Sequence, residues 1–339
     1  MNCEIKFLKN INGVFYAGSL LEGTVEIHLT ECVKINAIIC KIIGFAKCEW
    51  NIDISRYNLQ KYSSRVDYLN HKIAIIDPSS DGIELTSSLN NFDFSFELPS
   101  SLPTSFKSKY GMIKYKIQVD LKFESLSKSE MFFELPFIVI CPINLNEIAP
   151  GLKDPVRQEL SKSFNFNIAS SDINLVAVIP QGGYVVGQSI EVLIQVENLG
   201  KTRVKYLKIS LKKVVLLTSL KPKNQQKKVS ENEVKEVIYH EIPPKTNRDF
   251  LRAISIPPVP PNIENCEIIS VTYELRIKAK TIGWNKSPVL KIPIKIGTIP
   301  IMNQNVLLED SWHKKGALPP TYEETFRLSS TTDSSSDEE

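Results

Sequence analysis

The sequence predicts an all-β protein built from two antiparallel sandwiches. Short segments alternate apolar with polar residues, as in residues 25–29 and 115–119, which is the period of a strand buried on one face. Clusters of Gly, Pro, Ser and Asn separate these segments at spacings typical of sandwiches. Residues 153–164 come closest to a helical period, with Pro155 where a first helical turn would tolerate it. The rest of the folded part is interpreted as strands.

An internal repeat indicates that the two sandwiches are copies of one β unit. The run that begins at Gly18 and continues through Leu21 recurs in the second half of the chain, beginning at Gly187 and continuing through Ile190. The same offset relates four apolar positions of the next strand in each copy: Ile35, Ile38, Cys40 and Ile42 correspond to Val204, Leu207, Ile209 and Leu211. Apolar positions that stay in phase through two strands imply related units, with two unrelated sandwiches as the alternative.

The length of the chain and its composition define the domain boundaries that we expect. A chain of 339 residues is long enough for about two domains. We place an N-terminal sandwich at residues 1–146, a linker at 147–167 and a C-terminal sandwich at 168–298. Residues 299–339 are rich in Ser, Thr, Asp and Glu, and this composition predicts a short disordered tail.

The overall charge and the hydropathy pattern exclude several classes of protein. A net charge of +3, from 41 basic and 38 acidic residues, is too balanced to favour nucleic-acid binding. Residues 1–7 alternate like a strand and lack the apolar core of a signal peptide. The longest apolar stretches, such as residues 214–217, are too short to span a bilayer. We therefore expect a cytoplasmic protein that meets membranes only peripherally.

No set of residues in the sequence converges on a catalytic or metal site. The six cysteines lack the two-residue gap of a zinc knuckle, and we expect reduced, partly buried thiols. The four histidines are scattered and form no H-E-x-x-H pair, and neither a G-x-S-x-G elbow nor a phosphate-binding glycine loop occurs. The sequence therefore predicts a protein that is not an enzyme and uses no metal and no cofactor.

The motif Pro319-Pro320-Thr321-Tyr322 predicts a binding site for a WW domain. Adjacent prolines favour a polyproline II ridge, which an aromatic-lined groove can bind, and Tyr322 adds a flat anchor with a polar tip. A short linear motif works where a groove can reach it, as in a disordered tail. We expect Pro319, Pro320 and Tyr322 to make the contact, and Leu318 and Glu323 to tune it. The alternative interpretation is a proline-rich loop with an incidental tyrosine.

Three further segments each have a structural and a functional interpretation. The basic stretch that contains Lys221, Lys223, Lys227 and Lys228 predicts a hairpin loop, either solvated or facing anionic lipid headgroups. Ser334, Ser335 and Ser336 precede acidic residues by three positions, which is the pattern of an acid-directed kinase site on an otherwise solvated tail. Residues 257–261 (Pro-Pro-Val-Pro-Pro) match an SH3 ligand but favour a structural connector between strands.

Both halves of the chain resemble the α-arrestin (arrestin-domain-containing) family, and the resemblance covers nearly the whole folded part. The residues that carry it in the first half are Tyr16-Ala-Gly18, Gly23-x-Val25, Ile42-Ile-Gly44-Phe-Ala46, Phe94-x-Phe96-x-Leu98-Pro99 and Tyr110-Gly111-x-Ile113-x-Tyr115. Those at the junction and in the second half are Asn144-Leu145-Asn146, Gly183-Tyr184-Val185-x-Gly187, Val196-Glu197-Asn198 and Cys266-x-Ile268-Ile269-x-Val271-x-Tyr273. Ala17 departs from the proline that the family often has, and one PPxY motif stands where members commonly carry two.

The resemblance implies two tandem arrestin-like, immunoglobulin-like sandwiches and an adaptor function. Such an adaptor binds a membrane receptor or transporter as cargo and recruits a WW-domain, HECT-type ubiquitin ligase of the Nedd4-like class through PPxY. Ubiquitination then directs endocytosis and endosomal sorting, with the adaptor recruited to the plasma membrane and endosomes. The alternative function is an arrestin-fold trafficking scaffold that acts in vesicular transport without a ligase. Recognition of phosphorylated receptors would need a buried charged core, for which the sequence offers no residue set.

Overall fold

A computed structural model gives the fold of the chain. It describes residues 1–55, 58–77, 82–123, 130–166, 169–201, 203–222, 226–239, 241–282 and 287–302. The described chain divides into two compact units. The first unit comprises Met1–Cys141 together with Leu217–Lys228 and Ile263–Ser270, and the second comprises Pro142–Leu216, Val229–Asn262 and the described residues from Val271 onward.

The first unit is a sandwich of antiparallel-rich sheets. Its strands are β1 (Asn2–Phe7), β2 (Val14–Tyr16), β3 (Leu20–His28), β4 (Val33–Ser55), β5 (Asn58–Ile76), β6 (Ile83–Leu85), β7 (Leu89–Glu97), β8 (Phe106–Lys107), β9 (Gly111–Phe123) and β10 (Glu130–Ile140). One sheet has the order β1-β3-β7, and the other has the order β2-β10-β9-β4-β5, with β6 paired to β4 and β8 to β9. Inward-facing residues of β3, β4 and β9 form the core, and β9 alternates buried with less buried side chains along its length.

The second unit repeats this arrangement with its own sheets. A short helix α1 (Leu145–Ile148) and a 3₁₀ turn (Pro150–Lys153) precede its strands. The strands are β11 (Val156–Phe166), β12 (Ala169–Ile179), β13 (Gly183–Val185), β14 (Ser189–Asn198), β15 (Val204–Thr218), β16 (Lys227–Tyr239), β17 (Thr246–Ser255), β18 (Ile269–Thr281) and β19 (Val289–Gly297). The end residues 217–218, 227–228 and 269–270 of β15, β16 and β18 are grouped with the first unit. The sheet orders are β11-β12-β14-β17 and β13-β19-β18-β15-β16. The all-β prediction of two tandem sandwiches is confirmed, whereas the predicted tail lies almost wholly outside the described residues.

The sequence repeat is also a structural repeat. The eight apolar positions that the repeat relates in the second strand of each copy are all buried, each with at most 1% of its surface exposed. The turn before the repeated strand is the same in both units, because Gly18 and Gly187 have φ angles of 85° and 86°. A positive φ of this size is accessible to glycine at little cost, which explains why the repeat begins with that residue. The strand before each turn, β2 or β13, pairs in parallel with the last strand of its unit.

A buried tyrosine fixes a proline-containing connector in each unit. The Tyr115 hydroxyl donates to the Pro103 carbonyl at 2.7 Å, and the Tyr273 hydroxyl donates to the Pro260 carbonyl at 2.6 Å. Both rings are at most 1% exposed. Burial raises the pKa of Tyr115, so its phenol keeps the proton that the hydrogen bond requires. The two bonds hold equivalent connectors against equivalent strands.

A second polar contact closes the same connectors against the last strand of each unit. The Ser105 hydroxyl accepts a hydrogen bond from the Val139 amide at 2.9 Å. In the second unit the side-chain oxygen of Asn262 accepts from the Ile296 amide at 2.9 Å. Buried backbone donors are thereby satisfied where the connector replaces a neighbouring strand.

Two segments outside the repeat, residues 153–164 and 257–261, form a strand and a connector. Residues 153–164, which come closest to a helical period, lie mostly in β11, and β11 pairs along its length with β12. Strand β11 also lies within residues 147–167, the segment expected to be a linker. The domain boundaries stay a prediction. Residues 257–261 form a connector in which Val259, Pro260 and Pro261 are buried. An SH3 domain would need these prolines exposed, so the connector interpretation is favoured.

Replacing Tyr273 with phenylalanine should destabilise the protein by about 1–3 kcal/mol, because the buried Pro260 carbonyl loses its donor. The matched control is Tyr16→Phe, since the Tyr16 side chain is 55% exposed and its loss should change stability by less than about 0.5 kcal/mol. Urea unfolding of the two variants and the parent measures the difference. Equal stability of Tyr273→Phe and Tyr16→Phe would contradict the role given to the buried bond.

Candidate functional site

Most residues of the sequence-predicted sites lie outside the described part of the chain. These are Pro319, Pro320 and Tyr322 of the WW-binding motif, the serines Ser334, Ser335 and Ser336, and Lys223 of the basic loop. The described residues include the remaining lysines of that loop and the point from which the tail departs. The contacts of these two regions are described below.

The departure point of the tail is held by the Asn144-Leu145-Asn146 sequence in the second unit. The Asn144 side chain caps α1 by accepting from the Asn146 amide at 3.1 Å. The Asn146 side chain then uses both ends of its amide: its nitrogen donates to the Pro300 carbonyl at 2.8 Å, and its oxygen accepts from the Met302 amide at 2.9 Å. The last described residues are thus tied to the start of a helix. We call these contacts the tail anchor.

Leu145 gives the tail anchor an apolar centre. Its side chain is fully buried and lies over Gly183 and Gly297. A Cβ atom at Gly297 would come within 2.6 Å of the Leu145 Cγ atom, so the close approach requires a glycine there. The amides of Thr298 and Ile299 both donate to the Ile143 carbonyl, at 3.0 and 3.1 Å. The sequence singles out the segment around Leu145 as a family mark but gives no sign of this role, because its partners lie at the far end of the second unit.

The basic loop is attached to the rest of the first unit by hydrogen bonds. Ser63 and Lys221 exchange backbone hydrogen bonds at 3.1 Å in each direction. The Ser64 hydroxyl donates to the Thr218 carbonyl at 3.0 Å and accepts from the Leu220 amide at 2.5 Å. The Lys221 and Lys227 side chains are exposed, and Lys228 is half-buried. The described start of the loop, up to Lys221, is therefore hydrogen-bonded to β5.

Four lysines lie around Glu49 and Tyr110 beside this loop, and we call them the basic shoulder: Lys47, Lys61, Lys109 and Lys228. The Lys228 ammonium lies 4.0 Å from the centre of the Tyr110 ring, and that of Lys109 lies 5.9 Å from it. Glu49 contacts Lys61 at 2.6 Å and Lys47 at 3.4 Å. The hydrogen bond from Lys61 is the main cause that lowers the pKa of the Glu49 carboxyl.

An open groove of about 350 Å³ runs along the basic shoulder. Its lining includes Trp50, Tyr110 and Met112 together with three charged residues, Lys47, Glu49 and Lys109. Aromatic rings beside lysines can contact an apolar or anionic group, and Glu49 offsets part of the positive charge.

Two thiols of the first unit are buried, and burial lowers their reactivity. Burial raises the pKa of the Cys40 thiol to about 12 and, with a smaller contribution from Glu4, that of Cys3 to about 11. Such thiols stay protonated and are poor nucleophiles near neutral pH. Within the described residues, no group of three or more His, Cys, Asp or Glu side chains could hold a metal ion. No helix in this part of the chain is long and apolar enough to cross a membrane.

Comparison with protein-family models gives one family for both halves of the chain. Residues 3–146 match the model described as "Arrestin (or S-antigen), N-terminal domain". Residues 169–301 match the model described as "Arrestin (or S-antigen), C-terminal domain". The two models occur once each and in that order, and together they cover most of the described residues.

Curated proteins with similar sequences carry the same domain in their names. The human arrestin domain-containing protein 4 is 28% identical over 298 residues, which covers 85% of this chain and 69% of that protein. The Caenorhabditis elegans arrestin domain-containing protein 17 is 26% identical over 325 residues, covering 89% of this chain and 71% of that protein. The human arrestin domain-containing protein 1 is 26% identical over 291 residues, covering 85% and 62% respectively.

Replacing Gly297 with alanine should lower the free energy of unfolding by about 1–3 kcal/mol, because the new methyl group would overlap Leu145 in the tail anchor. Gly151→Ala is the matched control: the nearest atom to its added methyl would be 4.0 Å away, and a change below about 0.5 kcal/mol is expected. Thermal and urea unfolding measure both. Similar stability of the two variants would show that the anchor is loosely packed.

Proposed function

The chain belongs to the arrestin-domain-containing (α-arrestin) family, and from this premise we propose that it links membrane-protein cargo to a WW-domain, HECT-type ubiquitin ligase. In this role the arrestin domains bind a receptor or transporter, and the PPxY motif binds the ligase. Ubiquitination of the cargo then promotes endocytosis and endosomal sorting. The protein contributes binding surfaces and no catalytic group, and it works at the cytoplasmic side of the plasma membrane and of endosomes.

The observation that carries this proposal is the motif Pro319-Pro320-Thr321-Tyr322 on a chain with two arrestin domains. The two prolines restrict φ to the polyproline II value and remove two backbone donors, so the ridge can enter an aromatic groove with little loss of conformational entropy. Tyr322 provides a large apolar ring with a hydroxyl at its edge. An arrestin-fold scaffold that acts without a ligase has no use for this combination.

The tail anchor defines how far the motif can reach. The segment from Met302 to Pro319 is about 17 residues long, and a chain of that length spans at most about 60 Å when fully extended. A ligase bound at the motif would therefore be kept close to whatever the arrestin domains bind. One small peptide contact is weak alone, and a second contact on the same complex raises its effective concentration into the millimolar range.

Two secondary roles belong to the same proposal. The loop lysines Lys221, Lys223, Lys227 and Lys228 add a weak contact with anionic lipid headgroups, since each lysine near such a surface contributes about 1 kcal/mol. Phosphorylation of Ser334, Ser335 and Ser336 would add negative charge to a segment that already ends in Asp337, Glu338 and Glu339. Both would adjust when the adaptor is at a membrane and which partners its tail attracts.

A fluorescent peptide of residues 313–328 should bind an isolated WW domain with micromolar affinity, and Tyr322→Ala should abolish saturable binding because the aromatic anchor is lost. Glu324→Ala is the control, since it changes the charge of the peptide without changing the four motif residues. Phosphorylation of Tyr322 should also weaken binding, because a bulky dianion does not fit an aromatic slot. Fluorescence anisotropy measures all four peptides, and the full-length chain with the same substitutions repeats the comparison.

Equal affinity of the Tyr322→Ala and parent peptides would make the motif accidental. The scaffold function, which needs no ligase, would then account better for the arrestin domains. Binding of the phosphorylated peptide as tight as that of the plain peptide would contradict the geometry proposed for the tyrosine.

A further inference from the structure

The outer face of the sheet β11-β12-β14-β17 carries a row of apolar side chains. In β12 and β14 every second residue points out of the sandwich, because the residues between them fill the core. Val178 stands opposite Leu193 in the pairing of β12 with β14, and Leu193 stands opposite Leu251 in the pairing of β14 with β17. Side chains directly opposite in an antiparallel pair have Cβ atoms about 5 Å apart. The three residues therefore form one continuous row across three strands, and we call it the apolar row.

The apolar row is accessible to a partner. Leu193 and Leu251 are 40% and 64% exposed, and Val178 is half-buried. The next outward position of β17, Ala253, is exposed as well, and Val176 on β12 is half-buried. A single exposed leucine needs no explanation, whereas apolar side chains that adjoin one another on a sheet face indicate an interaction surface.

Acidic side chains flank the apolar row on the same face. Glu191 lies two positions before Leu193 on β14, and Asp249 lies two positions before Leu251 on β17. Because the two strands are antiparallel, one carboxylate lies on each side of the row. Across the four strands, the register relates four carboxylates and one guanidinium among the described outward positions: Glu159, Glu191, Glu197, Asp249 and Arg157. Arg157 contacts Glu159 at 3.4 Å, so the face keeps a net negative charge.

The two arginines of β17 belong to the inner side of the sheet. Arg248 and Arg252 stand opposite Val196 and Val192, which are both buried, so they alternate away from the outer face. The Arg252 guanidinium donates to the Leu251 carbonyl at 2.8 Å and lies 4.8 Å from the centre of the Tyr239 ring on β16, a strand of the other sheet. The carboxylates that flank the apolar row are therefore not neutralised from β17.

The negative charge of this face disfavours three occupants. The cytoplasmic leaflet of a membrane is anionic and would be repelled. In a symmetric contact with a second copy of the chain, the same face would meet itself, and carboxylates would approach carboxylates. Residues 303–339 of this chain contain eight acidic and three basic residues, so they carry the same sign of charge. A basic partner that also offers apolar side chains complements the face on both counts.

We propose that this face binds a basic, leucine-containing cytoplasmic segment of the cargo. Its apolar side chains pack on the apolar row, and its lysines or arginines contact Glu191 and Asp249. Cytoplasmic segments next to transmembrane helices carry an excess of Lys and Arg, so membrane proteins present this chemistry where an adaptor can reach it. The inference rests on the proposed function and names the surface that binds cargo and the kind of segment that it recognises.

The full-length chain should bind a short fluorescent peptide in which lysines alternate with leucines, as measured by anisotropy. The same peptide with glutamates in place of the lysines should bind about tenfold more weakly, because it is repelled. Leu251→Asn should weaken binding of the lysine peptide about tenfold, the effect of withdrawing one large apolar side chain from the contact. Leu20→Asn is the matched control: Leu20 is 50% exposed on β3 in the first unit, and its replacement should leave binding unchanged.

Reversing the charge of the face should reverse its preference between the two peptides. In the double variant Glu191→Lys, Asp249→Lys, the glutamate peptide should bind more tightly than the lysine peptide, and added salt should reduce the difference. A variant that is merely misfolded would lose both peptides, so this gain of binding separates a direct contact from a structural defect. Glu97→Lys, which changes an exposed acid on β7 of the first unit, is the control and should keep the preference of the parent.

Four results would overturn the inference. The parent would bind both peptides equally, or Leu251→Asn and Leu20→Asn would behave alike. Sedimentation of the parent as a dimer that Leu251→Asn dissociates would assign the face to a second copy. Peptide binding that appears only after residues 303–339 are removed would assign it to that segment.

Failure of this cargo surface is distinguishable from failure of ligase recruitment. Tyr322→Ala should bind the lysine peptide like the parent, because the PPxY motif is not part of the sheet face. The charge-reversed variant should in turn bind an isolated WW domain like the parent. Each pair of measurements therefore tests one of the two contacts and leaves the other unchanged.

Discussion

The fold depends on one constraint, the strict alternation of inward and outward side chains along strands that are each buried on one face. A slip of one residue in any pair would turn its whole apolar set toward solvent. In β18 every second residue from Ile269 to Thr281 is buried, and in β14 the same period continues from Ile190 to Asn198. The turns with positive φ at Gly18 and Gly187 start the equivalent strands in the same phase. Where the alternation stops, the side chains no longer contribute to a core.

The end of β4 is such a place. From Asn51 to Ser55 every side chain is exposed, although the backbone pairing with β5 continues. The fold keeps two strands there without a core to hold them, and the residues are neither uniformly polar nor protected. The tail anchor is the contrasting case. There, hydrogen bonds from the side-chain amide of Asn146 replace strand pairing, and they hold residues 300–302, which have no regular structure.

The sequence predicts the parts of this molecule that depend on local period, and it misses those that depend on distant pairs. Buried positions such as Ile38 and Leu207 follow from alternation and offset alone. By contrast, β11 is an edge strand with polar residues on both faces, so its sequence lacks the alternation of a half-buried strand and resembles a linker. The contact of Lys228 with Tyr110 joins residues that are far apart in the chain. Nothing near either residue signals it. The PPxY motif, by contrast, is recognised from four adjacent residues, and it lies outside the described residues.

The tail anchor has a mechanical consequence. Any partner that pulls on the chain beyond Met302 loads the contacts at Asn146 before it loads β19, because the segment between Gly297 and Met302 is fastened to residues 143–146. The two hydrogen bonds of the Asn146 side chain take up that load first, and the packing of Leu145 against Gly297 follows. Tension from a large assembly on the tail is therefore resisted at a fastening outside the sandwich, and the hydrogen bonds between β18 and β19 are spared from being peeled apart one after another.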